Sequence, residues 1–503
     1  MTQAQRPNFF ARKQTELPLI LSGRVTAQVR RARGLAIECS GMSVPVGSFC
    51  RVHTRLSRAV VDAEVVGFRQ GTTLLMPLGE MQGVGPEDLV ECVAAEQFVP
   101  VGPHLLGRIL DGRGRPADGK GPVRSATMRR IHAEPPDPVT RPRIDEALPT
   151  GIRSIDAFAT IGRGQRIGIF SGTGVGKSIL LGQIARFSHA DVTVIALVGE
   201  RGREVREFIE KNLGPDGLRR SVVVVATGDQ PATVRVKAPF VAAAIAEYFR
   251  DQGLDVVLLM DSVTRMAMAQ RDIGGSVGEV PATKGYTPSV FAMLPRFMER
   301  AGRSPVGSIT GFYTVLVETD DVADPISDAV RGVLDGHLML TRRLAQRNHY
   351  PALDILDSIS RVMVDVVPRE HEAAAARLRS ATAIYREVED LINVGAYVEG
   401  ANPEADAARR VIGPLHEFLR QGMYEGADFQ ATCKRLQELK ALAEAPPPRP
   451  RTQGPQAAQT PRAGSPANGA GATAPAAAAS AAGRAATAPG AQARAPQRPG
   501  SGR

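Results

Sequence analysis

The sequence contains no tryptophan, and only 5% of its 503 residues are aromatic. Aromatic rings supply the stacking platforms on which many proteins hold single-stranded nucleic acids. The two aromatic residues between positions 18 and 97 are Phe49 and Phe68, and they do not form a stacking motif. The composition therefore argues against specific nucleic-acid binding.

Cysteine is also scarce. The four cysteines, Cys39, Cys50, Cys92 and Cys433, have neither the spacing of zinc ligands nor that of a redox pair. Buried, inert thiols in a reducing compartment are the simplest interpretation. The chain has no uninterrupted apolar run of about 18 residues, and its first 20 residues lack the apolar core of a signal peptide. We therefore expect a cytoplasmic protein without a membrane span.

Positive charge is unevenly distributed. The net charge is +10, but residues 446–503 contain seven arginines and no acidic residue. Without this segment the net charge is +3, so the positive balance says little about nucleic-acid binding. The segment is rich in Pro, Ala, Gly and Arg and cannot bury a core, which predicts disorder.

Patterning divides the chain into segments. Short β-branched runs between turn residues predict a small β-barrel at 18–97. Near-continuous Val/Ile/Leu strands then alternate with helices, which predicts a mostly parallel sheet covered on both faces over 98–370, although 100–149 is expected to be irregular. Helical periodicity dominates 371–445. The fold class predicted is α/β, with this barrel before the core, a helical domain after it, a partner-docking segment at 1–17 and the tail at 446–503.

A glycine-rich loop follows the first strand of the α/β region. It matches G-x-x-x-x-G-K-[ST] at every fixed position except the first, where a serine stands. Such a loop wraps backbone N–H groups around phosphates, the lysine reaches the β- and γ-phosphates, and the final hydroxyl binds Mg²⁺. The predicted phosphate-loop residues are Ser171, Gly172, Thr173, Gly174, Val175, Gly176, Lys177 and Ser178.

Two carboxylates follow later strands. Asp261 ends the run "DVVLLMD", where it can orient the water shell of Mg²⁺, and Glu200 follows the strand that ends at Val198, where it can polarise an attacking water. Each signal has a simpler alternative. Many buried strands end in Asp, and "ERGREVRE" could be a solvated charged loop. We nevertheless expect Lys177, Asp261 and Glu200 to converge on one bound triphosphate, because strand ends of an open α/β sheet share an edge.

These motifs together resemble the hexameric ATPases that include rotary ATP synthase subunits and the ATPases of type III protein export. "IGRGQRIGIFSGTGVGKS", "VGERGRE", "MDSVTR" and "PALDILDSISR" carry the resemblance, which spans roughly residues 17–442. "GEVPATKGYTPSVFAMLPRFMERAG" resembles the export branch, and "NVGAYVEGANPEAD" leans toward its flagellar member. The resemblance implies a RecA-like core that hydrolyses ATP with Mg²⁺.

The resemblance also assigns roles to residues. It implies that Glu200 is the catalytic carboxylate, that Arg201 and Arg265 bind phosphate, and that Arg361 is an arginine finger for a neighbouring subunit's site. It further implies that Tyr350 stacks on adenine, with Phe429 as a second and looser match; each could instead be a packing aromatic. Since one chain carries all these groups, we expect a ring of six identical subunits.

The function expected is ATP-driven protein export at the inner face of the cytoplasmic membrane. The partners implied are a regulator, a stalk protein, export-gate membrane proteins and chaperone–substrate complexes, and peripheral membrane contact is possible through the arginine-bearing tail. A virulence-type secretion ATPase, a catalytic subunit of a rotary synthase and a ring-shaped RNA translocase remain as alternatives.

Overall fold

The computed structural model describes residues 25–317 and 324–445. The predicted docking segment at 1–17 and the tail at 446–503 lie outside the described residues.

The first described region is a closed six-stranded antiparallel barrel in the order β1-β2-β5-β4-β3-β6. Alternate residues of its strands point inward, as in β4, where buried and less buried positions alternate from Val61 to Val65. The barrel agrees with the expectation of a small β domain. Its strands are β1 (Thr26–Arg33), β2 (Ala36–Ser40), β3 (Phe49–His53), β4 (Val60–Arg69), β5 (Thr72–Pro77) and β6 (Leu89–Ala94).

Three of the four cysteines, Cys39, Cys50 and Cys92, lie in the core of this barrel. Burial raises the pKa of the Cys39 thiol to about 11, so the reactive thiolate is scarce near neutral pH. The fourth, Cys433, is half-buried, and its Sγ lies 3.4 Å from Nδ1 of His371.

Three short strands connect the barrel to the α/β region. They are β7 (Phe98–Val101), β8 (Ile109–Asp111) and β9 (Thr127–Arg130). β7 and β9 pair with each other, whereas β8 joins the edge of the large sheet beside β12. The expectation of irregular structure over 100–149 is therefore wrong for these strands, although most of the segment has no regular structure.

The large sheet has the order β17-β16-β10-β15-β13-β11-β12-β8, with β14 paired to β15. All neighbours on this path are parallel except β16 and β17, which confirms the predicted mostly parallel sheet. Its further strands are β10 (Arg166–Ser171), β11 (Val192–Val198), β12 (Ser221–Ala226), β13 (Asp255–Asp261), β14 (Gly302–Arg303), β15 (Ser308–Leu316), β16 (Gly336–Leu340) and β17 (Ile359–Ser360).

Both faces of the sheet are covered. In β11, Val194 and Val198 belong to one hydrophobic core while Ile195 and Leu197 belong to the other, so the strand is buried on both sides. The helices before the C-terminal region are α1 (Arg153–Phe158), α2 (Lys177–Phe187), α3 (Gly202–Glu207), α4 (Gly214–Arg219), α5 (Ala232–Asp251), α6 (Val263–Val277), α7 (Pro288–Met298), α8 (Pro325–Arg331), α9 (Arg342–Gln346) and α10 (Met363–Val366). A π-helical stretch, Phe208–Leu213, links α3 and α4, and 3₁₀ turns occupy Pro103–Leu105 and Thr283–Gly285.

Three helices end the described chain: α11 (Arg369–Asn393), α12 (Pro403–Leu419) and α13 (Phe429–Glu444). Side-chain caps fix two of the starts, because Asn402 accepts hydrogen bonds from the N–H groups of Glu404 and Ala405, and Asp428 accepts one from Ala431. Their apolar faces join the second core of the sheet, which confirms the predicted helical domain.

Candidate functional site

The glycine-rich loop connects β10 to the first turn of α2. Gly174 and Gly176 have φ angles of 77° and 94°, which residues with a Cβ rarely adopt. Gly172 has no positive φ, but a Cβ there would meet only the Val317 carbonyl oxygen, at 3.8 Å. The loop therefore presents its backbone at the start of an 11-residue helix, where the N–H groups and the helix dipole favour an anion.

Ser171, the departure from the motif, is the last residue of β10 and is 1% exposed. Its Oγ is buried and has no hydrogen-bond partner among the described residues. Thr173 and Gly174 are exposed at the tip of the loop, Val175 is buried beneath it, and Ser178 is half-buried in the first turn of α2. The side chain of Ser171 thus adds a polar atom beneath the loop.

Lys177, Glu200 and Asp261 converge at the carboxyl end of the sheet. The Lys177 Nζ forms a short ion pair with Oδ1 of Asp261 and lies 3.5 Å from Oε1 of Glu200. All three side chains are largely buried, with 12%, 14% and 4% of their surface exposed for Lys177, Glu200 and Asp261. One cation therefore balances two carboxylates at the place where the loop begins its helix.

Burial shifts the protonation equilibria of this group. Burial disfavours a charged Lys177, but the two carboxylates outweigh it, so the pKa of Lys177 is raised. The pKa of Glu200 is raised chiefly by its burial; the Asp261 charge and a hydrogen bond with Glu204 act in the same direction, against Lys177. A carboxylate with a raised pKa is suited to accept a proton near neutral pH.

The two arginines implied by the resemblance differ in their surroundings. Arg201 is exposed and lies 3.4 Å from Glu204 through Nη1. Arg265, in the first turn of α6, packs its aliphatic stem so closely on Gly199 that a Cβ there would lie 2.8 Å from the Arg265 Cβ. Its Nε is buried and has no partner within the described chain. Arg265 is therefore held beside Glu200 with a donor left over.

Tyr350 lies over the loop. A Cβ built on Gly176 would be 3.4 Å from two carbons of the Tyr350 ring, and 38% of the tyrosine is exposed. Its carbonyl oxygen accepts a hydrogen bond of 2.8 Å from the N–H of Gln421. The ring is therefore next to the phosphate loop and accessible, as stacking on a base requires.

Phe429 has a different setting. It is the first residue of α13, and its ring stacks on that of His371 with a centroid distance of 6.4 Å and an interplanar angle of 21°. His371 in turn contacts the carbonyl oxygen of Ala157 through Nε2, at 3.0 Å. These contacts give Phe429 a packing role, and its place in an adenine pocket stays a prediction.

Arg361 lies far from the loop of its own chain. It follows β17, whose Ser360 pairs with Gly336, the first residue of β16, and the Arg361 N–H donates to the Asp335 carbonyl at 2.9 Å. This is the amino end of the sheet, whereas Ser171 ends β10 at the carboxyl end. At ~3.3 Å per strand residue the two levels differ by about 13 Å. Arg361 is exposed, and its backbone lies at the end of the sheet opposite to the phosphate loop.

Sequence reasoning missed the group that fixes Asp261. The buried Thr314 of β15 lies beside the end of β13, and its hydroxyl is 2.8 Å from Oδ1 of Asp261 and 3.1 Å from the Met260 carbonyl oxygen. The signal in the sequence was a hydroxyl inside the apolar strand "SITGFYTVL", but its neighbour depends on strand order, which the sequence does not state. Thr314 thus orients a carboxylate of the site.

The described residues contain no helix that is both long enough and apolar enough to cross a membrane. Nor does any set of three or more His, Cys, Asp or Glu side chains in this part of the chain gather as a metal centre. A divalent cation held by Ser178 and Asp261 would therefore take its remaining ligands from a bound nucleotide and water.

Comparisons with known proteins agree with this geometry. Residues 151–360 match the family model of the ATP synthase alpha/beta family, nucleotide-binding domain, and residues 367–438 match that of the T3SS EscN ATPase C-terminal domain. The chain is 50% identical to the flagellum-specific ATP synthase of Bacillus subtilis over 83% of its own length and 95% of the relative's. It is 48% identical to the type 3 secretion system ATPase of Xanthomonas euvesicatoria, over 86% of this chain and 98% of the relative.

A solved structure has the same fold over the same span. The assembled ATPase EscN, in complex with its central stalk EscO from the type III secretion system of enteropathogenic E. coli, superposes with a TM-score of 0.76. The identity is 43%, and the match covers 82% of this chain and all of the other. The chain belongs to the ATP synthase alpha/beta family, within its group of flagellum-specific and type III secretion ATPases.

Proposed function

We propose that the chain hydrolyses ATP with Mg²⁺ to energise protein export through a flagellar-type secretion apparatus. The observation that carries the proposal is the convergence of Lys177, Glu200 and Asp261 beneath a loop whose glycines leave its backbone open. The buried donor of Arg265 and the accessible ring of Tyr350 fit the phosphates and the base of the same ligand.

The residues divide the chemistry between them. Lys177 and the N–H groups of the loop would bind the phosphates, and Ser178 and Asp261 would hold the Mg²⁺, which would supply positive charge to offset that of the phosphates. Lys177 would then exchange its carboxylate partners for phosphate oxygens. Glu200, with its raised pKa, orients the attacking water and accepts its proton, and Arg265 stabilises the phosphate charge.

Arg361 completes the site of a neighbouring subunit in a ring of six. The position of this exposed side chain at the amino end of the sheet supports a role in trans, since its own loop lies at the other end. To test this, Arg361→Ala chains are mixed with Glu200→Gln chains. Rings that contain both retain some sites with an intact Glu200 and an intact finger, so activity should partly recover. No recovery at any ratio, in rings shown to be mixed, would refute shared sites.

Export is proposed from the likeness to flagellum-specific and type 3 secretion ATPases, and the flagellar system is favoured by the segment "NVGAYVEGANPEAD". The likeness to EscN bound to a central stalk supports a stalk protein as partner. We extend the proposal to a regulator, export-gate proteins and chaperone–substrate complexes, met in the cytoplasm at the inner face of the membrane.

Genetic complementation separates the two export systems. The gene is expressed in a bacterium that lacks its flagellar export ATPase and, separately, in one that lacks its virulence secretion ATPase. Restored swimming without restored effector secretion supports the proposal. The reverse result assigns the chain to the virulence system.

A further inference from the structure

A second cluster of positive charge lies behind Tyr350, outside the nucleotide site. It surrounds a cavity of about 270 Å³ between α9, α11 and α12. Four arginines and two histidines line it, together with Glu389 and several apolar residues; the basic residues are Arg343, Arg347, Arg386, Arg420, His349 and His416. The N–H of Gln421 donates a hydrogen bond of 2.8 Å to the carbonyl oxygen of Tyr350. These two residues directly follow Arg420 and His349, so the bond holds the two segments of the cavity wall together.

The acidic groups of this cavity do not balance its arginines. Asp354, with 2% of its side chain exposed, accepts hydrogen bonds of 2.7 and 2.8 Å from Nη2 of Arg386 and lies 3.6 Å from Nη2 of Arg343. Glu389 pairs with Arg347 at 2.7 Å. Arg420 forms no ion pair with any residue that the structure describes. Four guanidinium groups therefore face two carboxylates, which leaves two positive charges uncompensated.

The two histidines lie next to these arginines, and their protonation is affected by the excess of positive charge. Their rings are 5.5 Å apart and perpendicular, and His349 is 3% exposed. Burial, with the charges of His416 and Arg420 acting in the same direction, lowers the pKa of His349 to about 4. Burial also lowers the pKa of His416, with Arg420, Arg347 and Arg386 acting in the same direction and Glu389 against it. Both rings are therefore neutral near pH 7 and offer N–H donors without adding charge.

We propose that this cavity binds a small oxoanion of the phosphate class, at a site separate from the phosphate loop. A phosphate group carries a charge of about −1.5 to −2 near pH 7, which matches the two uncompensated guanidinium groups. Guanidinium forks fit the oxygens of phosphate in pairs. A volume of about 270 Å³ is ample for phosphate or pyrophosphate, because about 10–15 Å³ on the same measure already holds a water molecule.

The test is the stoichiometry of pyrophosphate binding by titration calorimetry. The wild-type chain should bind two pyrophosphates. Lys177→Ala and Arg420→Gln should each retain one, and the double variant none, with affinity at the altered site at least about tenfold weaker because a charge-assisted hydrogen bond is lost. Arg206→Gln is the matched control, since it removes the same charge from an arginine of α3 that is 79% exposed.

A single pyrophosphate per wild-type chain that disappears in Lys177→Ala overturns the proposal. So does equal weakening by Arg206→Gln and Arg420→Gln, which would mean that only overall charge matters. Crystals of the wild-type chain soaked in selenate give a readout without any variant. An anomalous peak between Arg420 and His349 supports the site, and a peak at the phosphate loop alone refutes it.

Two probes distinguish the sources of the anion. Binding of inorganic phosphate, but not of ribose 5-phosphate, at the Arg420 site identifies a free ion as the ligand. Equal binding of both identifies the terminal phosphate of a larger molecule. If inorganic phosphate, ribose 5-phosphate and pyrophosphate all fail to bind at the Arg420 site, the proposal is wrong.

Discussion

Charged side chains are paired differently at the two ends of the central sheet. At the amino end, arginines are matched with carboxylates that hold the fold together: Arg166 bonds to Asp335 at 3.1 Å, and the buried Arg300 bonds to Glu247 at 2.7 and 2.9 Å. At the carboxyl end, Lys177 forms ion pairs with two carboxylates, those of Glu200 and Asp261. That end also carries two buried polar atoms, Ser171 Oγ and Arg265 Nε, without partners in the described chain.

The difference separates structural charge from functional charge within one sheet. Groups that pair completely contribute to stability whether or not a ligand is bound, whereas groups with a raised pKa or an unused donor are stabilised further when a ligand supplies the missing partner. Arg361 differs from these pairs, because it is exposed and forms no ion pair with a residue that the structure describes. Changes at the two ends should therefore have different consequences.

Replacing Arg361 with alanine should have the largest effect. An arginine finger supplied by a neighbour contributes roughly 10³–10⁵ in rate, so ATP hydrolysis by the assembled ring should fall by about that factor. Nucleotide affinity of the isolated chain should remain near the wild-type value, because the residue is far from its own loop. Steady-state hydrolysis and fluorescent-nucleotide titration measure the two quantities. Arg206→Ala, which removes an exposed arginine paired with Glu210, is the control.

Glu200→Gln should reduce hydrolysis by about 10²–10⁴-fold, the usual contribution of a general base. Nucleotide binding should persist or strengthen, because the change removes a negative charge next to Lys177. Single-turnover hydrolysis and equilibrium binding with the same preparation separate the two effects. A parallel loss of binding and of hydrolysis would show that Glu200 only maintains the loop.

The sequence predicted most of the carboxyl end, because that chemistry is carried by local motifs. The glycines, Lys177 and the two strand-terminal carboxylates each stand in a recognisable stretch, and parallel strands bring such ends together. The amino end was not visible in the same way. The pairing of Arg300 with Glu247 joins residues 53 positions apart, and β8 reaches the sheet edge from a segment rich in Gly and Pro that suggested no strand.

The aromatic residues show the same limit. Tyr350 was identified by its place before "PALDILDSISR", and it lies over Gly176. Phe429 was placed by a looser match, and its ring packs on His371. Likewise, the hydroxyl of Thr314 holds Asp261 only because β15 and β13 are neighbours. Contacts set by strand order or by helix packing depend on the whole fold and not on a local pattern.

Glu247→Gln tests the structural side of the comparison. The Glu247 carboxylate and the Arg300 guanidinium are each 2% exposed, and Arg129 adds a contact of 3.3 Å. Removing one charge leaves Arg300 buried without its counter-ion, which typically costs about 3–5 kcal/mol. The free energy of unfolding in urea should fall by that amount. Glu210→Gln, which breaks an exposed pair with Arg206, should change it by less than about 1 kcal/mol.

The effect on the nucleotide site separates the two ends further. At a temperature where Glu247→Gln remains folded, its nucleotide affinity should match that of the wild type. A large change in affinity without loss of stability would mean that the amino-end pairs act on the site and would remove the distinction drawn above.

Glu204→Gln should have the smallest effect, a displacement of the pH profile. Glu200 accepts a proton only when ionised, so hydrolysis is present above its pKa and is lost as the pH falls through it. Burial raises that pKa, and the hydrogen bond with Glu204 raises it further, while the pKa of Glu204 is lowered by the same bond. Glutamine at position 204 lacks the carboxylate that accepts this bond from protonated Glu200, so the acid limb of kcat/KM should move to lower pH with little change in the plateau. Glu207→Gln, on the same helix and paired with Lys211, should leave the limb in place. A limb that stays fixed in both variants would show that Glu204 does not influence the protonation of Glu200, and a lower plateau with a fixed limb would mean that Glu204 only positions α3.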